Sequence, residues 1–425
     1  MATDRRRAAR GKPASRSKHP LEYSLLYTAT LCLLAAGAVM VYSASSAESL
    51  LTTGDSSYYL KRYLIFGAIG VALLHFLSRH GLKFVKDATP VILFGSLFLT
   101  VVVMVPGIGV SVNGAQRWLG AGPVQFQPSE LLKISLVLYA AQLLAAKPAR
   151  VKRLKTLARP LLIVIAVACA LLLKQPDMGT AIVVCLAMGA LLFAAGVPLR
   201  HLLTILGAIV FLAGILAIAA PYRRARLTSF MHPWHDSTGA GFQTVQSMIA
   251  IGSGGFFGVG LGESVQKIFY LPEAHTDMIL AIIGEELGLI GITAVASLYG
   301  MIAYGGLRAA KMAKDRYAKL LAVGMTALIL CQATLNFFAV MGLAPLTGVP
   351  LPFISYGNSN LIVMLGGMGL LLNVAATGGR ARAAGGKPLR AIDGGKGPRA
   401  SSRNSGGRDS RPRRAGARGR GRAAG

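Results

Sequence analysis

Apolar runs recur along the chain with almost no charge inside them, at about 22–44, 60–78, 88–105, 129–146, 160–174, 179–197, 199–220, 277–306, 318–341 and 360–377. A helix needs about 20 residues to cross about 30 Å of hydrocarbon. The pattern predicts an all-α polytopic membrane protein with ten transmembrane helices. The fifth to seventh runs are tight, because the turns at Lys174–Met178 and Val197–Arg200 are short. One polar interval breaks the rhythm, from Pro221 to Thr276 between the seventh and eighth runs. It is too long for a turn, and loops of that length are usually functional or disordered. It holds Trp234, several glycines and alternating polar and apolar residues, which does not read as disorder. Short amphipathic helices at the outer interface are expected there, with Trp234 and the nearby Tyr and Phe residues at headgroup level.

Composition agrees. Of 425 residues, 53% are apolar and 14% charged, with a mean hydropathy of +0.55. Soluble domains carry about 25% charged residues. A water-soluble globule, a disordered chain and a coiled coil are all excluded. The four cysteines, Cys32, Cys169, Cys185 and Cys331, lie inside apolar runs at unrelated spacings, so neither a disulfide framework nor a zinc site is expected.

The formal charge of +29 adds orientation. Residues 1–19 carry +6, residues 378–425 carry +12, and the remainder, 20–377, carries +11. The tails therefore read as basic, disordered cytoplasmic segments flanking a membrane domain over 20–377. They suit anchorage against anionic lipid better than nucleic-acid recognition. Met1–Pro20 has no apolar core, so no secretory signal is expected. Ten spans put both tails on one side, and the positive-inside rule makes that side cytoplasmic. The inner loops then hold fifteen Lys and Arg against eight outside.

Acidic residues are scarce, so their places are informative. Glu130, Asp177, Asp277, Glu285 and Glu286 fall at or within span ends, where a charge costs up to about 3 kcal/mol. Glu130 and Lys133 are three apart and can meet on one helix face, either beside a substrate cavity or as a structural pair joining helices. Asp177, before Gly179-Thr180, suits an N-cap. Asp277 opens the eighth span from outside; Thr276 could cap in its place, and a carboxylate partly shielded from water makes a better base. Glu285 and Glu286 sit about 12 Å deeper, about 80° and 180° round from Asp277. They are expected to tie the span to its neighbours. The outer cluster Arg223, Arg224 and Arg226 matches either phosphate or headgroup snorkelling.

At this point the residues resemble a known family. The run YRRARLTSFMHPWHDSTGAGFQTVQSMIAIGSGGFFGVGLGESVQKIFYLPEAHTDMILAIIGEELG at 222–288 is similar to the SEDS membrane glycosyltransferases, and most similar to their cell-division branch. Further matches are NGAQRWLGAGPVQFQPSELLK at 113–133, QPDMGT at 175–180 and GLAPLTGVPLPFISYG at 342–357. This chain has Ser355-Tyr356-Gly357-Asn358-Ser359-Asn360 where the family usually reads SYGGSS, and Met278 and Leu280 where it has an aromatic pair after the acid.

The resemblance implies polymerisation of lipid II into β-1,4 glycan strands at the outer face of a bacterial cytoplasmic membrane, during cell division. It implies Asp277 as the catalytic acid–base residue or as a ligand of Mg2+ or Mn2+, with no organic cofactor. It further implies substrate binding by Arg117, Trp118, Glu130, Lys133, Arg223, Arg226, Gln243, Ser247, Lys267, His275 and Ser355. Expected partners are a class B penicillin-binding protein, other division proteins and membrane lipid, without nucleic acid. A lipid II flippase and a non-catalytic division scaffold are the rival readings. The absence of an evident internal repeat and the outward bias of the polar residues disfavour the flippase.

Overall fold

The computed structural model describes residues 20–385 except 113, 122–123, 149–153, 220–228, 240 and 269. Both tails, apart from residues 378–385, and the cluster Arg223, Arg224 and Arg226 therefore lie outside the described residues.

All ten predicted runs are helical: α1 Leu21–Thr53, α2 Tyr58–Arg79, α3 Leu82–Val102, α4 Pro128–Ala146, α6 Ile163–Lys174, α7 Met178–Ala194, α8 Leu199–Ala219, α10 Ile279–Met312, α11 Arg316–Val340 and α12 Asn358–Gly385. A short helix, α5 Leu154–Leu157, leads into α6. Among the described residues, seven helices are long and apolar enough to cross a membrane, namely α1 to α4 and α10 to α12. α6 and α7 have only 12 and 17 residues, as the short turns around them foretold.

The core of the bundle is α10 and α11, packed together, with α1 against α10, and α4 and α7 against α11. α12 runs beside α2, and its Asn373 Nδ2 donates to the carbonyls of Leu77, Ser78 and His80. A helix leaves its last four carbonyls without intrahelical donors. One amide thus caps the end of α2 where water would otherwise be needed.

Two of the intervals between the long helices carry structure of their own. First, residues between α3 and α4 form a three-stranded antiparallel sheet: β1 Gly109–Val112, β2 Ala115–Ala121 and β3 Val124–Phe126. Val110 faces Trp118 and Leu119 faces Phe126 across the ladder. Second, among the described residues of the long loop, short helices recur. They include a turn of 3-10 helix, Pro233–Asp236, with Trp234 63% exposed, and a 13-residue helix, α9 Phe242–Gly254. α9 packs on α10, burying Thr244, Val245, Ser247, Ala250 and Gly254.

The reason lies in α10 itself. Its backbone breaks at Gly288, φ 65°, a conformation costly for any residue with a side chain. A Cβ at that position would also collide with the backbone of Phe256 and Gly258. The break leaves carbonyls without helical donors, and the loop after α9 supplies them: Val259 N–H to the Glu285 carbonyl at 2.9 Å and Gly260 N–H to Glu286 at 3.1 Å. In return Leu289 N–H bonds the Gly255 carbonyl at 3.0 Å. Gly288 lies about 13 Å along α10 from Ile279 at the rise of an α-helix. Non-helical backbone is tolerated at such depth only when its polar groups are paired within the protein.

Candidate functional site

Asp277 stands just before α10. Neither Asp277 nor the alternative cap Thr276 takes the N-cap position, which is Met278, and no side chain caps it. The Thr276 hydroxyl bridges two carboxylates, lying 3.0 Å from Glu273 Oε2 and 3.2 Å from Asp277 Oδ1. Asp277 is half-buried, and its carbonyl accepts from Asn336 Nδ2 at 2.7 Å. The same amide nitrogen donates to the Val349 carbonyl at 2.9 Å. Gly348, at φ 67°, lies beside the carboxylate: a Cβ there would sit 3.8 Å from Asp277 Oδ2.

The segment 347–350 is shared with a second buried group. Lys133 Nζ lies 3.0 Å from Glu130 Oε2 with both side chains buried, and donates to Gln332 Oε1 at 2.7 Å. Gln332 Nε2 in turn donates to the Pro350 carbonyl at 2.9 Å and to Asn360 Oδ1 at 3.1 Å. Gln332 and Asn336 are one turn apart on α11, so one helix face holds the adjacent carbonyls of Val349 and Pro350. The Glu130–Lys133 pair thus joins α4 to α11, and through Gln332 it reaches Asn360 of α12 and the segment that Asp277 meets at Gly348.

Other predicted residues serve the scaffold. Arg117 donates from Nε to the Gln175 carbonyl at 2.9 Å and from Nη2 to the Pro176 carbonyl at 2.6 Å, clamping β2 on the turn before α7. Trp118 is half-buried in the same strand. Asp177 is the N-cap of α7, accepting from Thr180 N–H at 3.3 Å. Glu285 accepts from the Ser264 hydroxyl and from Val265 N–H at 3.1 Å, and Glu286 accepts from the Ser43 hydroxyl at 2.6 Å. Both carboxylates tie α10 to its neighbours, as expected.

Lys267 is paired within the protein. Its ammonium is taken up by Glu286 Oε1 at 2.9 Å, the Gly262 carbonyl at 2.7 Å and Ser43 Oγ at 3.1 Å. Ser247 and Ser355 likewise turn inward. Ser247 Oγ donates to the Val340 carbonyl at 2.9 Å, and Ser355 Oγ accepts from Leu351 N–H at 2.8 Å, both fully buried. Gln243 donates to the Pro272 carbonyl at 3.3 Å.

His275 is buried between the rings of Tyr59 and Tyr356, at 4.3 and 5.6 Å between centroids. Burial pushes its pKa below the usual histidine value, against the opposing pull of Glu48 and Glu273. Its Nδ1 lies 3.5 Å from Glu48 Oε2. Among the described residues, no group of three or more His, Cys, Asp or Glu is placed to hold a metal ion.

Asn336 and Gln332 were not singled out from the sequence. Their signal was present: two amides spaced i, i+4 inside an otherwise apolar run, where each polar group needs a specific partner.

A sequence profile of the FtsW, RodA and SpoVE cell cycle proteins matches residues 23–378. The chain is 41% identical over 358 residues to the "Probable peptidoglycan glycosyltransferase FtsW" of Geobacter sulfurreducens, covering 84% of this chain and 95% of that one. It is 39% identical to the stage V sporulation protein E of Bacillus subtilis, over 83% of this chain and 96% of that one. Among solved structures, it resembles a chain from a peptidoglycan synthase complex described as coordinating polymerization and crosslinking. That match has a TM-score of 0.69 and 30% identity, over 83% of this chain and 97% of that one. The RodA rod shape determining protein of Thermus thermophilus matches with a TM-score of 0.58 and 27% identity, over 82% and 95% of the two chains. Profile, relatives and fold agree across the membrane domain, and the chain belongs to the FtsW, RodA and SpoVE family of cell cycle proteins.

Proposed function

We propose that the protein is a peptidoglycan glycosyltransferase that polymerises lipid II during cell division. The observation that carries this reading is the position of Asp277: a half-buried carboxylate at the start of a membrane-length helix, set against the Gly348 segment. In this reading all ten apolar helices cross the cytoplasmic membrane, both termini are cytoplasmic, Asp277 faces outward, and the enzyme works at the septum.

Asp277 takes the proton from the 4-hydroxyl of the acceptor GlcNAc. That oxygen attacks C1 of the donor MurNAc, the bond from C1 to the pyrophosphate oxygen breaks, and undecaprenyl pyrophosphate leaves. One displacement inverts an α-linked donor to a β-1,4 bond. A positioned base contributes about 10²- to 10⁴-fold. The leaving diphosphate needs positive charge. Lys267 and Arg117 are committed to protein groups, so Arg223 and Arg226 are the proposed cations, and a Mg2+ or Mn2+ ion carried by the phosphates would add to them. A class B penicillin-binding protein is the proposed partner for cross-linking, alongside other division proteins; the likeness to a chain of a peptidoglycan synthase complex supports this.

Reconstitution of the full chain in liposomes with labelled lipid II tests the activity class. Glycan strands are expected. Lipid crossing the bilayer without strands would make it a flippase, and neither outcome would leave a scaffold.

A further inference from the structure

The amide of Asn336 is 2% exposed, and its nitrogen reaches out of α11 to two carbonyls that belong to neither its own helix nor each other's element. One carbonyl is that of Asp277, two residues before α10. The other is that of Val349, next to Gly348 beside the Asp277 carboxylate. α10 starts only at Ile279, and the first turn is closed by Ala281 N–H bonding the Met278 carbonyl at 2.9 Å. Asp277 therefore stays outside the helix, and its carbonyl is held sideways by Asn336. The single –NH2 also fixes the spacing between the Asp277 backbone and the Gly348 segment, because both its hydrogens are used.

We infer that Asn336 is the positioning residue of Asp277: it holds the carboxylate off the end of α10 and sets the gap to the 347–350 segment into which the reacting hydroxyl must fit. This rests on the glycosyltransferase reading for its catalytic meaning, but the geometry is testable without activity. Misplacing a reacting group by about 1 Å can cost about 10²-fold in rate. The effect falls on turnover, since Asn336 is too buried to touch lipid II.

Two variants of the full-length protein test it. In Asn336→Ala, kcat is expected to fall about 10²-fold with KM for lipid II within about threefold of wild type. Hydrogen exchange is expected to accelerate over 273–283 and 345–352 and to stay unchanged elsewhere. Asn336→Asp keeps the size but, when ionised, turns both contacts repulsive; protonated, it regains one donor. Its turnover relative to wild type at the same pH is expected to rise as pH falls. Unchanged exchange in those two segments overturns the geometric inference, whatever the activity. Wild-type kcat in a folded Asn336→Ala protein overturns the catalytic one. If the alanine variant does not fold, a flat relative pH profile for Asn336→Asp overturns it.

Discussion

Replacing Lys133 by Met gives the most quantitative test of the polar network. Lys133 is 1% exposed and makes two contacts, the ion pair with Glu130 at 3.0 Å and the bond to Gln332 Oε1 at 2.7 Å. Met keeps the length of the stem and removes the charge. Glu130, itself buried, is then left as an uncompensated carboxylate, and Gln332 loses a donor. Breaking a buried pair from one side costs about 3–5 kcal/mol. Removing both charges together with volume kept is often close to neutral. Lys133→Met is therefore expected to lose about 3–5 kcal/mol of stability, and Glu130→Gln combined with Lys133→Met to lose much less than the sum of the single changes. Unfolding of the purified protein in detergent, followed through all four members of the cycle, gives the coupling. A loss under about 1 kcal/mol for Lys133→Met, or strict additivity, would refute the argument that the pair is desolvated and mutually dependent. Polymerisation by the double variant then separates the two readings of the pair. Full activity makes it structural, and lost activity with restored stability gives it a part at the substrate.

Three further outcomes are expected. Asp277→Asn should not be rescued by raising Mg2+ or Mn2+; recovery of strand synthesis would instead make Asp277 a metal ligand. Gly288→Ala forces a side chain into φ 65° and into the backbone of the Phe256–Gly258 loop, so it should lower the unfolding midpoint and expose the 255–261 segment to limited proteolysis, with an unchanged digestion pattern counting against the docking described. His275 has its pKa depressed by burial, so the unfolded chain takes up its proton first. Its stabilising contribution is complete above the ordinary value of 6.5 and is lost as pH falls from there toward the folded value. The melting midpoint of His275→Phe should accordingly fall less than that of wild type between pH 7 and mildly acidic pH, about 5; equal slopes would show that another group titrates.

Helix positions were legible because lipid demands long apolar runs and because so few charges interrupt them. The sheet at 109–126 was not, because its strands of 4, 7 and 3 residues are too short for alternation to rise above the surrounding apolar sequence. Asp177 as an N-cap followed from local chain geometry alone. Lys267 did not, since its partners Glu286 and Ser43 lie on other elements, far away in sequence. Ser247 and Ser355 were drawn into the predicted site by resemblance, which carries residue identity but not the direction of a hydroxyl. Asn336 was missed for the opposite reason: an amide inside a span gives no charge signal, and its meaning appears only when Val349 and Asp277 are seen beside it.

The central claim is tested most directly by the rate at which purified Asp277→Asn protein makes glycan strands from lipid II, measured with its lipid II affinity. The account predicts that affinity persists while strand synthesis falls by about 10²-fold or more. Strands formed at the wild-type rate would contradict it.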